Sequence, residues 1–159
     1  MTPRQHLEQI VRPNLDEMEL DRGDMRFAFN AAAAVDALAA HMYCWAVEHS
    51  PDRVAEEEDD NSYRHTLAAK NLDFKLTTEV ARANKHVRLD RGKPTVKTAS
   101  QMATRELTVC DFASWDDIWF GEGDQVSIEI PGATFEVAEA VFARACIFLE
   151  EEMNALRIP

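Results

Sequence analysis

Cysteine, glycine and proline are all scarce in this chain. The 159 residues include 3 cysteines, 5 glycines and 6 prolines. Cys44, Cys110 and Cys146 are odd in number, lie far apart and form no CxxC pair, which argues against a disulfide framework and against a structural zinc cluster. The sequence therefore predicts reduced thiols in a cytoplasmic protein that has no metal site and no cofactor.

Positive charge is also scarce. The chain has 17 Lys and Arg against 29 Asp and Glu, which gives a formal net charge of −12. This balance argues against general electrostatic binding to nucleic acid or to an anionic membrane, because both require a positively charged surface. No apolar run reaches the roughly 18 residues of a membrane span, and the first residues lack the hydrophobic region of a signal peptide. We therefore expect no membrane association.

What the chain does contain is helical periodicity. Residues 24–49 have no glycine or proline and are rich in alanine, the best helix former. Their apolar positions occupy more than one helical face, which is typical of a central helix. Residues 62–90 predict a second long helix with a break near Asn71 and a cap at Gly92. Its apolar stripe consists of Leu72, Leu76, Val80, Ala83 and Val87.

Shorter helices are predicted at residues 3–12, where Pro13 is expected to end the helix, and at residues 134–156. Thr134 is expected to cap the last helix, with Glu136 in its first turn.

A change of period predicts a β region at about residues 104–130. In Gln125–Ile130 apolar residues alternate with polar ones, and a two-glycine turn precedes them. We expect a hairpin with residues 117–120, a third strand at 104–110, and an end to the sheet at the Pro-Gly pair 131–132. The predicted fold is a single, mainly α domain. It is a bundle of four to five helices with a small antiparallel hairpin or three-stranded meander before the last helix.

The segment "EVARANKHVRLDRG" contains the candidate catalytic residues Arg82 and His86. At about 100° per residue, Glu79, Arg82 and His86 lie along one side of the helix at spacings of three and four. One interpretation is an exposed ion-pair stripe. The other is a site in which His86 acts as acid or base and Arg82 binds an anion.

Asn84 lies about 40° from Val80, next to the apolar stripe. A polar amide beside a buried stripe needs partners, and His41 is one candidate. Asn30, His41 and Asn84 are therefore candidate ligand-binding residues in a pocket between helices. A metal site would need residues from several helices, for example His41 with His86 and Asp36, and we expect none.

Residues 82–105 form a basic strip. The strip holds seven of the 17 basic residues and a single acid, Asp90. It either docks against the acidic run at residues 56–60 or faces an anionic partner such as nucleic acid. Internal docking explains both runs without a partner and is the favoured interpretation.

Two stretches of the chain resemble a known group of proteins. "FNAAAAVDALAAHMYCW" and "LTTEVARANKHVRLDR" are similar to a family of small bacterial helical-bundle proteins with no settled activity. Members pair an Asn/Ala-rich helix that ends in aromatics with a later helix that bears a Lys-His pair, here Lys85-His86. The resemblance covers about residues 30–109 and implies a helical fold rather than a function.

The predicted bundle is also distantly similar to HEPN domains, which occur in RNA-cleaving toxins and defence proteins. Their motif is an Arg followed by a polar residue, with four to six residues between the Arg and a His. In this chain three residues separate Arg82 from His86, and Ala83 follows the arginine. The spacing departs from the family pattern and weakens the implied nuclease activity.

These observations leave three hypotheses. The first is a non-catalytic bacterial protein that acts as a homo-oligomer or with a protein partner, through the alanine-rich helix and aromatics such as Trp115 and Trp119. The second is a HEPN-like RNA-cleaving or nucleotide-acting enzyme that uses Arg82 and His86. The third is a small-ligand binder that uses the pocket between helices.

Overall fold

The computed structural model describes residues 1–86, 88–90, 92–108, 123–132 and 135–159. Within these ranges the chain is mainly helical, and a three-stranded antiparallel sheet precedes the last helix. The predicted fold class is confirmed.

The N-terminal helix does not stop at Pro13. A π-helical turn, Leu7–Val11, joins α1, Pro3–His6, to α2, Arg12–Leu20. The wider π turn bonds each N–H to a carbonyl five residues back, and Pro13 then falls in the first turn of α2, where a missing N–H costs least. The predicted interruption is therefore wrong, because a local change of helical pitch accommodates the proline.

The central helix is α3, Met25–His49, as predicted. Asp24 caps it by accepting the backbone N–H of Arg26 at 2.7 Å. The buried residues of α3 cover more than one face and are mostly small, so that neighbouring helices approach closely on several sides. They are Ala28, Ala31, Ala32, Ala34, Val35, Leu38, Ala39, Met42 and Ala46.

The second predicted long helix is two helices. α4, Asp60–Lys70, and α5, Leu72–His86, are separated by the single residue Asn71. The backbone of Asn71 is extended, and its side-chain Oδ1 accepts the N–H of Phe74 at 2.8 Å. One residue therefore ends α4 and caps α5, which confirms the predicted break.

The far end of α5 differs from the prediction. The helix ends at His86, short of residue 90, and Gly92 has a φ of +80° within the following connection rather than at a helix cap. The predicted stripe is otherwise buried at Leu76, Val80 and Ala83, whereas Leu72 is 63% exposed. Its last member, residue 87, lies outside the described residues.

The sheet has β2, Gly123–Glu129, between β1, Met102–Leu107, and β3, Phe135–Val137. Both pairings are antiparallel. Val126 and Ile128 are buried in the core as predicted. Burial does not alternate along β2, however, because Gln125 and Ser127 are buried as well.

Two further strand predictions have different outcomes. The strand predicted at 104–110 is present as β1. The strand predicted at 117–120 lies outside the described residues.

The Pro-Gly pair 131–132 does not end the sheet. Gly132 adopts a φ of +78° in a turn, and β3 then pairs with β2. The last helix, α6, Ala138–Ala155, consequently starts after residue 134, which itself lies outside the described residues. The assignment of Glu136 to a first helical turn is wrong, because apolar residues alternate around it and favour a strand.

Buried apolar side chains form two main clusters. One lies around Leu38, Phe74 and Leu149, where α3, α4, α5 and α6 meet. The other lies around Val80, Ile128 and Phe142, where α3, α5, α6 and the sheet meet. Within the described residues, no helix combines the length and the hydropathy of a membrane span.

Candidate ligand-binding cleft

The connection between α5 and β1 folds back on itself. We name its described residues, 88–90 and 92–98, the strap. The N–H of Leu89 donates to the carbonyl of Lys97 at 2.7 Å, and Arg88 pairs with Thr98 in an antiparallel bridge. The strap is therefore a loop closed at its base.

Glu79 of α5 holds the strap against the helix. Its Oε2 accepts the backbone N–H groups of Thr95 and Val96, both at 2.9 Å, and the Nζ of Lys75 lies 3.8 Å from its Oε1. Burial raises the pKa of this carboxyl above its usual range, against the opposing effects of the two N–H bonds and of Lys75. Glu79 is only 6% exposed. The prediction that it belongs to an exposed stripe is wrong, because the strap covers it.

A cavity of about 470 Å³ lies between α4, α5 and the strap. We name it the apolar compartment, since much of its wall consists of Ala68, Ala69, Leu72, Leu89 and Pro94. Lys75 and Glu79 line it as well. Its volume falls in the range of about 300–1,000 Å³ that is typical of small-molecule sites.

An adjoining cavity of about 350 Å³ lies between α3, α4 and α5. We name it the polar compartment. Its lining includes Asp36, Asn61, Arg64, Asn84, Lys85 and His86. The two compartments share His65, Thr78 and Arg82, so they are neighbouring parts of one cleft.

Asp36 of α3 is the acidic group of the polar compartment. Thr78 donates its hydroxyl hydrogen to Asp36 Oδ1. The Nε of Arg64 lies 3.4 Å from the same oxygen, while its Nη1 lies 2.8 Å from Asp60. Burial raises the pKa of Asp36, and the charge of Arg64 opposes this rise. Three helices are thus joined by one polar cluster.

Arg82 stands at the junction of the cleft. It lines both compartments and a third cavity of about 430 Å³ with His86, Arg88 and Asp90. Among the described residues, no carboxylate lies within ion-pair distance of Arg82, and its guanidinium makes no hydrogen bond. The side chain is partly buried. Its guanidinium therefore lines the cleft without a hydrogen-bond acceptor among the described residues.

The two predicted catalytic residues do lie together, because Arg82 and His86 both line the polar compartment. His86 is exposed. Asn84 is exposed too, so the prediction that it bonds inward is wrong, although it lines the same compartment. The helix ends within the next turn, and no neighbouring helix among the described residues covers this edge of the stripe.

The other two predicted ligand residues are not brought to the cleft. Asn30 is exposed on α3. The ring of His41 stacks on that of His6, with centroids 4.2 Å apart, and His6 is buried near the carbonyl of Ala34. Burial lowers the pKa of both imidazoles. The pocket predicted from Asn30, His41 and Asn84 therefore does not form.

The hypothetical metal triad is also separated, since His41 lies with His6 while Asp36 and His86 line the polar compartment. In the described part of the chain, no three His, Cys, Asp or Glu side chains converge as metal ligands would.

In the described part of the chain, the basic strip does not dock on the acidic run. Among the described residues of both segments, no ion pair joins residues 56–60 to residues 82–105. Asp60 pairs instead with Arg64, and Arg88 pairs with Asp90 inside the strip. The favoured interpretation is therefore wrong for the described residues, and several cations of the strip remain exposed.

Sequence reasoning missed three residues of the cleft. Arg64 becomes a neighbour of the predicted residues only through packing of α4 on α5, whereas Lys75 and Thr78 lie on α5 itself, and Thr78 is one helical turn before Arg82. One signal is present in the sequence: Thr77 and Thr78 interrupt the buried face of α5 with hydroxyl groups. A buried hydroxyl needs a partner, and Thr78 finds it in Asp36.

The remaining predicted residues are the aromatics and the cysteines. Trp115, Trp119 and Cys110 lie outside the described residues. Cys44 is exposed and Cys146 is buried, and neither is in a disulfide. Burial raises the pKa of the Cys146 thiol to about 12, so that this thiol is inert at neutral pH.

The chain matches no protein-family model, no curated protein and no solved structure.

Proposed function

We propose that this is a non-catalytic protein that binds a small molecule with an anionic group and an apolar part. Arg82 binds the anionic group, and the apolar part occupies the apolar compartment. The observation that carries the proposal is the position of Arg82, a partly buried guanidinium without a protein acceptor among the described residues, where the two compartments meet.

A guanidinium remains charged at every physiological pH and presents donors in a planar fork. Arg82 is partly buried, and a hydrogen bond between a guanidinium and an anionic oxygen is stronger than one between neutral groups. A bound carboxylate, sulfonate or phosphate would supply the acceptors. The cleft therefore favours a ligand with a negative group at the level of Arg82.

The apolar compartment argues for the second part of the ligand. Leu72 lines it and is 63% exposed. Covering this side chain and the neighbouring alanines with an apolar ligand would remove their surface from water, which is favourable by about 25 cal/mol per Å². A purely polar ligand would leave this contribution unused.

Titration of the full-length ¹⁵N-labelled chain with eight-carbon anions tests the proposal. The probes are octanoate, octanesulfonate and octyl phosphate, followed by amide resonances. We expect shifts centred on Leu72, Arg82 and Leu89. Arg82→Gln should raise the dissociation constant about tenfold or more, because a charge-assisted hydrogen bond contributes roughly 1.5–3 kcal/mol.

The matched control is Arg53→Gln. Arg53 is exposed and lines neither compartment, so this change should leave the dissociation constant unaltered. The proposal fails if none of the three anions shifts the cleft resonances. It also fails if Arg82→Gln and the wild type bind all of them equally well.

The proposal retains the non-catalytic character predicted from the sequence and replaces a protein partner with a small ligand. Self-association through Trp115 and Trp119 stays a prediction. RNA cleavage by Arg82 and His86 stays a prediction as well, and the fact that both residues line one compartment is compatible with it. The bacterial origin and cytoplasmic location are likewise predictions.

A further inference from the structure

We propose further that the anionic group is a phosphomonoester dianion rather than a singly charged carboxylate or sulfonate. This inference rests on the proposed function, because it concerns the head group of the same ligand. It follows from the charges that line the cleft and from the partners that each charge already has.

The lining of the cleft is positive in a strongly negative chain. Its formal positive charges belong to Arg64, Lys75, Arg82 and Lys85, and its formal negative charges to Asp36 and Glu79. The lining therefore carries two more positive than negative charges, whereas the whole chain has a net charge of −12. A local excess of this sign attracts anions.

Two of the four cations already have partners. Arg64 lies against Asp36 and Asp60, at 3.4 and 2.8 Å. Lys75 lies 3.8 Å from Glu79, and its Nζ also donates to the hydroxyl of Thr95 at 3.2 Å. These two cations hold the helices and the strap together and are not free for a ligand.

Arg82 and Lys85 are the two cations that remain. Within the described residues, neither has a carboxylate at ion-pair distance, and both line the polar compartment. The charge of Arg82 acts on Asp36 and Glu79 from beyond ion-pair distance, and two cations on one cavity wall without a carboxylate in direct contact favour a ligand with two negative charges. A phosphomonoester supplies both, because its second pKa of about 6 leaves it mostly dianionic at neutral pH.

The other groups of the compartment suit the same head group. His65 and His86 add ring N–H donors, and Asn61 and Asn84 add amide donors. A phosphate group presents three terminal oxygens, each of which accepts more than one hydrogen bond. A carboxylate presents two oxygens in one plane and would leave more of these donors without an acceptor.

The test compares head groups on an identical eight-carbon chain. Octanesulfonate has the tetrahedral shape of a phosphate but one charge, and octanoate has one charge and a planar group. At pH 7.5 we expect octyl phosphate to bind at least about tenfold more tightly than either, a ratio that corresponds to one additional charge-assisted contact. Isothermal titration calorimetry on the full-length chain measures all three.

The variant Lys85→Gln tests whether the second negative charge of the head group, rather than its tetrahedral shape, contributes to binding. It should weaken octyl phosphate binding several-fold and leave octanesulfonate binding nearly unchanged, because Arg82 suffices for one charge. The control Lys97→Gln removes an exposed lysine of the strap that lines neither compartment, and it should change neither affinity.

The possible outcomes distinguish the two proposals. Equal affinities for octyl phosphate and octanesulfonate, each reduced by Arg82→Gln, would overturn the phosphomonoester and leave the anion-binding cleft intact. Equal weakening of both probes by Lys85→Gln would also overturn the phosphomonoester alone. Absence of binding by all three probes would overturn both proposals.

Discussion

At the scale of single residues, Asp36 and Asp24 should respond to pH in opposite ways. Burial raises the pKa of Asp36 above its ordinary value of 3.8, whereas the backbone N–H of Arg26 lowers the pKa of Asp24 below the same value. A group with a raised pKa stabilises the fold most below pH 3.8 and loses that contribution as the pH rises through the folded-state value. A group with a lowered pKa does the reverse.

We therefore expect Asp36→Asn to gain stability relative to the wild type as the pH rises above about 4, and then to level off. Urea unfolding at a series of pH values from about 3 to 8 measures this difference. Loss of the contact with Arg64 lowers the unfolding free energy of Asp36→Asn by the same amount at every pH, so it does not change the slope of the difference against pH.

Asp24→Asn is the matched control with the opposite sign. Its stability relative to the wild type should improve as the pH falls through the lowered pKa, since the wild-type contribution is lost there. Parallel curves for the two variants would contradict the assignment of either environment.

Glu79 shows what the sequence could not predict at this scale. Helical geometry gives the angle of a side chain on its own helix, and it puts Glu79 on a side with Arg82 and His86. It does not show which later segment of the chain packs against that side of the helix. The strap lies sixteen and seventeen residues further along the chain at its contacts with Glu79, and no periodicity in α5 encodes it.

At the scale of elements, Asn71 is the junction on which the cleft depends. Asn71→Ala removes the acceptor of the Phe74 N–H and should cost about 1 kcal/mol of unfolding free energy, typical of a lost N-cap. Asn71→Asp keeps the acceptor oxygen and places a negative charge at a helix N-terminus, so it should retain the stability. Urea denaturation of the three proteins gives the comparison.

An equal loss of stability in both Asn71 variants would contradict the capping role, because only the alanine lacks the acceptor.

The elements that the sequence predicts well are those with long, uninterrupted periodicity. α3 and β2 are present at the predicted positions. The errors fall at short elements and ends. β3 has three residues and is stabilised by pairing with β2, and the π turn before Pro13 depends on packing against α3. Both depend on neighbours that a local pattern does not contain.

At the scale of the whole molecule, the two apolar clusters should unfold together. α3, α5 and α6 contribute side chains to both clusters. We expect Phe74→Ala in one cluster and Phe142→Ala in the other each to cost about 3–5 kcal/mol. Each variant should shift one common transition, which is the behaviour of a single domain.

Coincidence of tryptophan fluorescence and far-ultraviolet circular dichroism during urea unfolding is the measurement. Leu20→Ala is the control, because Leu20 is 86% exposed and a surface change of this kind usually stays within about 0.5 kcal/mol. Two separate transitions in Phe74→Ala would contradict a single cooperative domain and the predicted domain boundaries of 1–159.

Because a single residue joins α4 to α5, the width of the cleft depends on the angle between these two helices. α4 has 11 residues, so its far end lies roughly 16 Å from Asn71, and a rotation of about 10° there would move that end by roughly 3 Å. Ala69 and Leu72, close to the pivot, would hardly move. Asn61 and Lys85, far along each arm, would move most. Such a rotation would change the spacing around the head group of a ligand more than the thickness available to its apolar part.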